Sequence, residues 1–470
     1  MKLTEISQYD ARTGRVSEWR LHPSTLAAAE ETGIDSRPPS YLQEAHVRTA
    51  AMNRQRGVEE PTWLATAFDI SGGADPDALE MAFRSWIDRH ETLRSGFRES
   101  DGELLRFTLE TERIAFQRVE IGDFVEQEEL HRYLEDRFDE STDPLDWPCY
   151  LFVTVDHEEA TTVYMAFDHT NVDGYSISLI AHEIQELYRA AAVGDRAQLL
   201  DVGSYVDFAD AERSRAAELD TEHEDVRRWR EFVEPADWQL PAFPLDLGLA
   251  PQDSVIMPRQ SGVCEWLLDP DEANTFETAC EEGGSNFFSG VLAATGIAAC
   301  ELGDQDVYRT LVPFHTRSQP QWWASLGWYV GLAPVELPAT QEGDFHAFAR
   351  GARETVRSVR SMAEVPLARV CELFEVLLRP VFLVSYIDGR LVPGADRWDE
   401  WNAHAFGKVS RGDGVFVWIN RTQDGVYVTA RYPATELGHK NVLRFLARTG
   451  EILTTVAQDG DYVPLLAGPR

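Results

Sequence analysis

Cysteine and long apolar runs are scarce in this sequence, and each scarcity excludes a class of protein. The five cysteines are scattered and form no Cys-x-x-Cys pair or Cys/His cluster, so we expect neither a disulfide framework nor a structural zinc site. A reducing cytoplasm suits such a chain. Residues 1–5 have no apolar core, and no apolar run reaches the roughly 20 residues of a membrane span. The sequence therefore predicts neither a signal peptide nor a transmembrane segment.

Positive charge is scarce as well. Against 80 acidic residues there are 43 basic ones, which gives a formal net charge of −37. Such a chain repels the phosphates of DNA and RNA, so nucleic acid is excluded as a partner. We interpret the excess of acids as a solvated surface. An acidic carrier protein would need a locally basic patch on which to dock.

The chain is long and apolar enough for two domains. Its 470 residues exceed what one ordinary core accommodates, and 43% of them are hydrophobic. Strand-like and helix-like stretches alternate in the first half, where 104–109 and 114–119 predict a pair of strands, and they alternate again in the second half. We interpret the strongly charged stretch 210–230 as a solvated helical connector between the halves.

The segment 168–174, with the sequence Asp-His-Thr-Asn-Val-Asp-Gly, carries the strongest functional signal. Residues 161–167 before it are β-branched and aromatic, which predicts a strand, and the apolar residues after it recur at helical spacing. A histidine at such a strand-to-helix connection is rigidly held, and its near-neutral pKa makes it a common proton carrier. The alternative is an ordinary hydrogen-bonded His169, with Asp173 as the cap of the helix.

The pattern His169-x-x-x-Asp173-Gly174 resembles the active-site signature of a family of thioester-dependent acyltransferases. The family includes chloramphenicol acetyltransferase and the condensation domains of nonribosomal peptide synthesis. Its usual signature has two histidines, and Asp168 replaces the first one here. His169 matches the second, which does the chemistry in the family. Further similar stretches, in an order and spacing that cover nearly the whole chain, are 89–97, 325–335 and 382–388.

Within this superfamily the sequence is most similar to the actinobacterial polyketide-associated acyltransferases that build acylated glycolipids. The run 38–43 and the segment 417–421 carry this similarity, whereas the Asp-Phe-Gly-Trp motif of condensation domains is matched in only two positions of 405–408. The resemblance implies an α/β fold, an α+β sandwich, made of two tandem chloramphenicol acetyltransferase-like domains. They would form a V-shaped pseudo-dimer with the active site at their interface. We expect the domains at 1–215, which carries the motif, and 216–470.

The resemblance also implies roles for residues of the motif. His169 would be the general base. Asp173 would be structural and would pair with an arginine, for which Arg94 is the first candidate and Arg89 the second. Gly174 would leave room for the thioester arm, and its N–H would stabilise the oxyanion.

Three further residues are candidates for lining the cleft: Asn171, Trp328 and Ser385. Turn formation is the alternative for Asn171, and core packing is the alternative for Trp328. Arg317 lies in a loop that either lines the cleft or lies on the ordinary surface. The pair at 182–183 lacks the second histidine of a zinc-protease helix, so we expect it to be exposed, and we expect no metal.

The chemistry implied is the transfer of an acyl group from coenzyme A, or from a phosphopantetheinyl carrier protein of a polyketide synthase, to an alcohol or amine. A sugar of the trehalose type is the leading acceptor. We expect no permanently bound cofactor. We also expect no covalent acyl-enzyme, since a Gly-x-Ser-x-Gly elbow, which would present a serine nucleophile, is absent from the sequence. The protein would act as a monomer. Two alternatives are a free-standing condensation enzyme that makes an ester or amide, and an inactive condensation-like recruitment module.

Overall fold

The structure is a computed structural model, and it describes residues 1–58, 60–249, 257–303, 305–338 and 343–465. The helices within these ranges are α1 (Pro23–Glu31), α2 (Tyr41–Gln55), α3 (Pro76–Arg89), α4 (Gln127–Ser141), α5 (Gly174–Val193), α6 (Tyr205–Ala217), α7 (Glu224–Val233), α8 (Pro270–Glu282), α9 (Phe287–Gly303), α10 (Phe345–Val359), α11 (Leu367–Phe374) and α12 (Glu436–Asp459). The strands are β1 (Leu3–Thr4), β2 (Arg15–Leu21), β3 (Ile34–Asp35), β4 (Leu64–Ser71), β5 (Ser95–Ser100), β6 (Glu103–Thr108), β7 (Phe116–Asp123), β8 (Tyr150–Asp156), β9 (Ala160–Phe167), β10 (Gln260–Leu268), β11 (Val307–His315), β12 (Val330–Pro338), β13 (Phe382–Asp388), β14 (His404–Gly407), β15 (Val415–Thr422) and β16 (Gly425–Pro433).

The described chain forms two compact units, and neither is one continuous stretch of sequence. The first unit consists of Met1–Glu218, Arg317–Tyr329 and Leu391–Lys408, and the second takes the described residues of the remaining chain. The segment between β11 and β12 and the segment that contains β14 therefore belong to the first unit. The predicted domains, 1–215 and 216–470, place these two segments in the second domain instead.

The first unit is built around a seven-stranded sheet with the order β1-β14-β4-β9-β8-β2-β7, and a small sheet of β3, β6 and β5 accompanies it. β9 lies near the middle, and all eight of its residues are buried. Its alternate side chains enter two apolar clusters: Val163 and Met165 pack with residues of α3 and α5, and Tyr164 and Ala166 pack with residues of α4. Helices on both faces explain why this strand has no polar side.

The second unit has a six-stranded mixed sheet with the order β10-β16-β15-β13-β11-β12. Its apolar cluster combines one face of β15 and β16 with residues of α8, α9, α10 and α12. α9 is buried along most of its length, and this explains its apolar sequence. Among the described residues no single helix has the length and apolarity of a membrane span, and only the sharply bent pair of α8 and α9 reaches them together.

The predicted α/β fold class is confirmed, and most predicted helices and strands occur within a few residues of their expected bounds. Two expectations were wrong. β6 pairs with β5 and β3, while β7 pairs with β2, so the two strands predicted as a pair lie in different sheets. The charged connector is not simply solvated, because Val226 and Trp229 of α7 are fully buried in the core of the second unit.

Close packing of the backbone in the second unit leads to a prediction about two of its glycines. A Cβ on Gly331 of β12 would lie 1.9 Å from the carbonyl oxygen of Ala363, whereas a Cβ on Gly351 of α10 would meet no described atom within 4 Å. Gly331→Ala should lower the free energy of unfolding by about 1–3 kcal/mol, because a backbone atom must move. Gly351→Ala should raise it by about 1 kcal/mol through helix propensity.

Urea unfolding of both variants measures the difference. Equal stabilities would contradict this account of β12 packing.

Candidate active site

His169 lies in the tight connection between β9 and α5, in the first unit. β9 ends at Phe167, and α5 begins at Gly174 behind the cap formed by Asp173, whose carboxylate accepts the backbone N–H of Ser176 at 2.7 Å. The predicted strand and helix are thus found, and a rigid element holds each end of the loop. His169 itself is only half-buried.

The two ring nitrogens of His169 differ in their surroundings. Nδ1 is buried and has no hydrogen-bond partner among the described residues, whereas Nε2 is not buried in this way. No hydrogen bond to Nε2 occurs in the described part of the chain either, so Nε2 is the nitrogen that solvent or a ligand reaches. A proton acceptor must be accessible in this way.

Trp328 holds the imidazole of His169 from one side. The two rings stack with centroids 4.0 Å apart and an interplanar angle of 26°. The backbone next to Trp328 is fixed by Ser176, whose hydroxyl donates to the carbonyl oxygen of Gly327 at 3.0 Å. The Tyr205 hydroxyl donates to the carbonyl oxygen of Trp328, also at 3.0 Å. Trp328, predicted as a candidate lining residue, therefore lies directly against the histidine.

Asp168, the residue that replaces the first histidine of the motif, is fully buried and is paired. One carboxylate oxygen lies 2.9 Å from Nε2 of His46 on α2, and the other accepts the backbone N–H of Thr170 at 2.8 Å. The His46 ring meets Trp328 edge-on, with centroids 5.5 Å apart. A second histidine thus reaches this site from a distant part of the sequence.

Burial and charge determine the protonation of these groups. Burial, reinforced by the nearby charge of His46, lowers the pKa of His169 to about 4. For His46, burial opposes protonation but the carboxylate of Asp168 outweighs it, and the pKa of His46 is raised. The same pair keeps the pKa of Asp168 low in spite of its burial. At neutral pH His169 is therefore unprotonated, and the pairing of His46 with Asp168 favours the charged form of each of these two groups.

The carboxylate of Asp173 pairs with Arg317, and the expectation that Arg94 or Arg89 is its partner was wrong. One guanidinium nitrogen of Arg317 lies 3.1 and 3.2 Å from the two carboxylate oxygens, and both side chains are almost fully buried. The backbone N–H of Tyr329 donates to the same carboxylate at 3.0 Å. Asp173 is thus turned into the interior and holds the loop, as its structural assignment predicts.

The two rejected arginines serve other groups. Arg94 donates to the carbonyl oxygen of Leu109, while Arg89 donates to Glu183 on α5 at 2.9 Å. Glu183 also accepts hydrogen bonds from Trp86 at 2.8 Å and lies 2.6 Å from a ring nitrogen of His90. Glu183 is buried, so the expectation of an exposed pair at 182–183 was wrong for this residue.

Asn171 is part of the inner framework of the loop. It is 2% exposed, and its side-chain oxygen accepts the hydroxyl of Thr92 at 3.1 Å while its amide donates to the sulfur of Cys149 at 3.0 Å. This favours the turn-forming role over cleft lining. Burial raises the pKa of the Cys149 thiol to about 12, so Cys149 is not poised as a thiolate nucleophile.

The other candidates differ in position. Gly174 is the exposed first residue of α5, where backbone N–H groups are free of helical partners. Ser385 is buried in β13 of the second unit, and its role at the site stays a prediction. No group of three or more His, Cys, Asp or Glu side chains suited to a metal ion occurs in the described ranges.

Residues that the sequence did not assign to the site complete its framework. The hydroxyl of Ser40 caps α2, and the Gln43 side chain donates to the carbonyl oxygen of Thr170 at 2.9 Å while it accepts from buried Arg106 at 2.8 Å. The run 38–43 marked a family resemblance and thereby contained this brace. No local signal identified His46, because nothing in the pattern of α2 distinguishes it from an ordinary helical histidine.

Comparison with known proteins gives one family match that spans most of the chain. The model of the Condensation domain family matches residues 59–378. The acyltransferase PapA3 of Mycobacterium tuberculosis is 29% identical over 468 residues, which cover 97% of this chain and 96% of that protein. The trehalose-2-sulfate acyltransferase PapA2 of the same organism is 28% identical over 478 residues, with 99% of each chain covered.

Solved structures agree with these matches. The structure of the PapA2 acyl transferase superposes with a TM-score of 0.89 at 26% identity, and it covers 97% of this chain and 100% of that one. The X-domain from teicoplanin biosynthesis gives a TM-score of 0.70 at 18% identity over 91% of this chain, which shows the common fold alone.

The buried pair at Asp173 yields a prediction about stability. Asp173→Ala removes the cap of α5 and leaves the guanidinium of Arg317 buried without a carboxylate, so the free energy of unfolding should fall by about 3–5 kcal/mol. Arg317→Ala should cost a similar amount. The double variant should cost less than the sum, since both single changes break the same interaction.

Urea unfolding measures these values, with Arg94→Ala as the control. That change removes a hydrogen bond to a carbonyl oxygen and should cost only about 1 kcal/mol. An Asp173→Ala protein as stable as the wild type would contradict the structural role of the carboxylate.

Proposed function

Since the chain belongs to the Condensation domain family and is an acyltransferase, we propose that it carries an acyl group from a thioester donor to a hydroxyl group of a sugar. His169 serves as the general base. The observation that carries this proposal is the accessible Nε2 of an unprotonated histidine, held by Trp328 within the motif of the family.

The reaction needs a proton to move twice. The hydroxyl oxygen attacks the carbonyl carbon of the thioester while Nε2 of His169 takes its proton, and a tetrahedral intermediate forms. When this intermediate collapses, the carbon–sulfur bond breaks and the imidazolium returns the proton to the departing sulfur. The products are an ester and a thiol, and His169 is again neutral.

The N-terminus of α5 is suited to the charge that develops on the carbonyl oxygen. Gly174 opens this helix, so its N–H is directed away from the helix and the positive end of the helix dipole lies beside it. We assign this N–H as an oxyanion donor, and such a donor is worth roughly 2.7–4 kcal/mol of barrier. The absence of a Cβ leaves room for the thioester arm.

The transfer is direct, without an acyl-enzyme. The cysteine nearest to the motif, Cys149, is buried with its pKa raised to about 12, which disfavours a thiolate.

The donor and acceptor follow from the relatives and from the chemistry. PapA2 is named for transfer to trehalose-2-sulfate, and PapA1 for transfer to a sulfated acyl-trehalose, so we infer a trehalose-type sugar as acceptor. The donor is an acyl-coenzyme A or an acyl group on a carrier protein of a polyketide synthase. The five cysteines are all free, which suits a cytoplasmic protein, and the enzyme acts as a monomer.

Replacement of the proposed base tests the activity. Thiol release from long-chain acyl-coenzyme A should depend on trehalose or a sulfated trehalose, and His169→Ala should slow it about 100- to 10,000-fold because the hydroxyl loses its proton acceptor. A thiol-reactive dye follows the rate, and mass spectrometry identifies the ester. His182→Ala replaces a half-buried histidine on α5, the helix that follows His169; it serves as the control and should retain wild-type rates.

Three outcomes of this assay would favour a different base or a different function. A His169→Ala enzyme as fast as the wild type would show that another group is the base. Transfer to an amine instead of a sugar would favour a free-standing condensation enzyme. Thiol release by neither protein with any donor would favour an inactive recruitment module.

The low pKa of His169 predicts the pH dependence. The base is inactive only when protonated, so kcat/KM should rise as the pH increases through about 4 and should stay level up to neutral pH. Initial rates between pH 4 and 8, with unfolding monitored in parallel, measure this profile. An acid limb near the ordinary histidine value of about 6.5 would show that the ring is not desolvated as described.

A further inference from the structure

The replacement of the first motif histidine by Asp168 creates an arrangement that the proposed mechanism does not use. The carboxylate lies immediately before the base in the sequence, is fully buried and contacts Nε2 of His46 at 2.9 Å. A buried carboxylate is costly unless it has a partner and is hydrogen-bonded. Here both conditions hold, since Asp168 also accepts the N–H of Thr170 at 2.8 Å.

We propose that His46 and Asp168 form a positioning pair for the base. In this pair a positively charged His46 is held by Asp168 and lies against Trp328, and through Trp328 it helps to orient the ring of His169. The inference rests on the proposed function of His169 as the base. It concerns residues that do not touch the reacting atoms.

The first part of the argument is mechanical. Asp168 is anchored at three points: its N–H donates to the carbonyl oxygen of Cys149 at 2.9 Å, its own carbonyl oxygen accepts from Asn171 at 3.1 Å, and its side chain is held by His46. The next residue is His169. A fixed Asp168 therefore fixes the backbone from which the base projects, and this carboxylate ties α2 to the motif loop in addition to the hydrogen bond from Gln43 to Thr170.

The second part concerns the aromatic ring that contacts both histidines. Trp328 stacks on His169 at 4.0 Å and meets His46 at 5.5 Å with an interplanar angle of 81°. An imidazolium is attracted to the face of an indole ring. The contact with His46 therefore helps to keep Trp328 where it orients the base.

The third part is electrostatic. The charged and titratable groups that act on His169 are His46 from α2 and Asp168 and Asp173 from its own loop, and Asp173 is paired with Arg317 from the segment 317–329. Of these, His46 opposes protonation of His169, whereas the two carboxylates favour it. Because Asp168 is paired with His46, the effect of its negative charge on the pKa of His169 is largely cancelled. The pair therefore preserves a neutral base next to a buried acid.

Nuclear magnetic resonance of ring-labelled histidines tests the coupling without requiring activity. Each of the twelve histidines gives one Cε1 signal, and single replacements assign those of His46 and His169. His46→Gln keeps an amide N–H that reaches Asp168 but removes the charge. The titration midpoint of His169 should then rise by about one pH unit or more, since a repelling charge is lost and Asp168 is unbalanced. The acid limb of kcat/KM should move upward with it, at a nearly unchanged KM for the donor.

Two further variants complete the experiment. Asp168→Asn should lower the titration midpoint of His46, and it tests the pair even where His46→Gln fails to fold. His182→Gln is the matched control, because this ring contacts Trp401 instead of Trp328, and it should leave the midpoint of His169 unchanged.

The possible results separate the two proposals. A folded His46→Gln protein in which the midpoint of His169 stays at the wild-type value overturns the positioning pair, as does an unchanged His46 midpoint in Asp168→Asn. If the midpoints shift as expected while the wild-type enzyme transfers no acyl group, the pair is supported and the proposed function fails. Loss of stability alone does not move the midpoint of a folded protein, so a merely structural role is distinguished as well.

Discussion

The carboxylate of Asp173 joins three parts of the first unit. It caps α5, accepts the backbone N–H of Tyr329 and pairs with buried Arg317. The last two residues belong to the segment 317–329, which follows β11 in the sequence but packs with the first unit. Because an unpaired charge in this place is costly, the segment and the motif loop are stable only together. Trp328 lies within the segment, so the same ion pair also brings the indole to His169.

This constraint divides the motif into two functions. The carboxylate of Asp173 is directed inward and stabilises the loop, whereas the histidine remains accessible through Nε2. The flanking residues are used in the same way: Asn171 and Cys149 contact each other below the loop, and Gln43 holds the carbonyl oxygen of Thr170. A rigid loop with one accessible nitrogen is the arrangement that proton transfer to and from a bound substrate requires.

Local patterns predicted the elements that carry the site because those patterns have local causes. β9 and α5 were recognisable from β-branched residues followed by helical spacing, and Asp173 from its place before an apolar helix. The pairing of β6 and β7 was not predictable in this way, since strands near in sequence need not be neighbours in a sheet. The buried face of α7 was hidden by its many charges, which occupy the opposite side of the helix.

By itself, the sequence determined the fold class, the order of the elements and the candidate for the base, since each of these is written in a short stretch of neighbouring residues. Only the tertiary structure decided which charges meet. His46 lies 122 residues from Asp168, and Arg317 lies 144 residues from Asp173. Several arginines and histidines along the chain were equally eligible by residue type. The choice among them is made by burial, because a carboxylate removed from water is stable only with the partner that the fold brings to it.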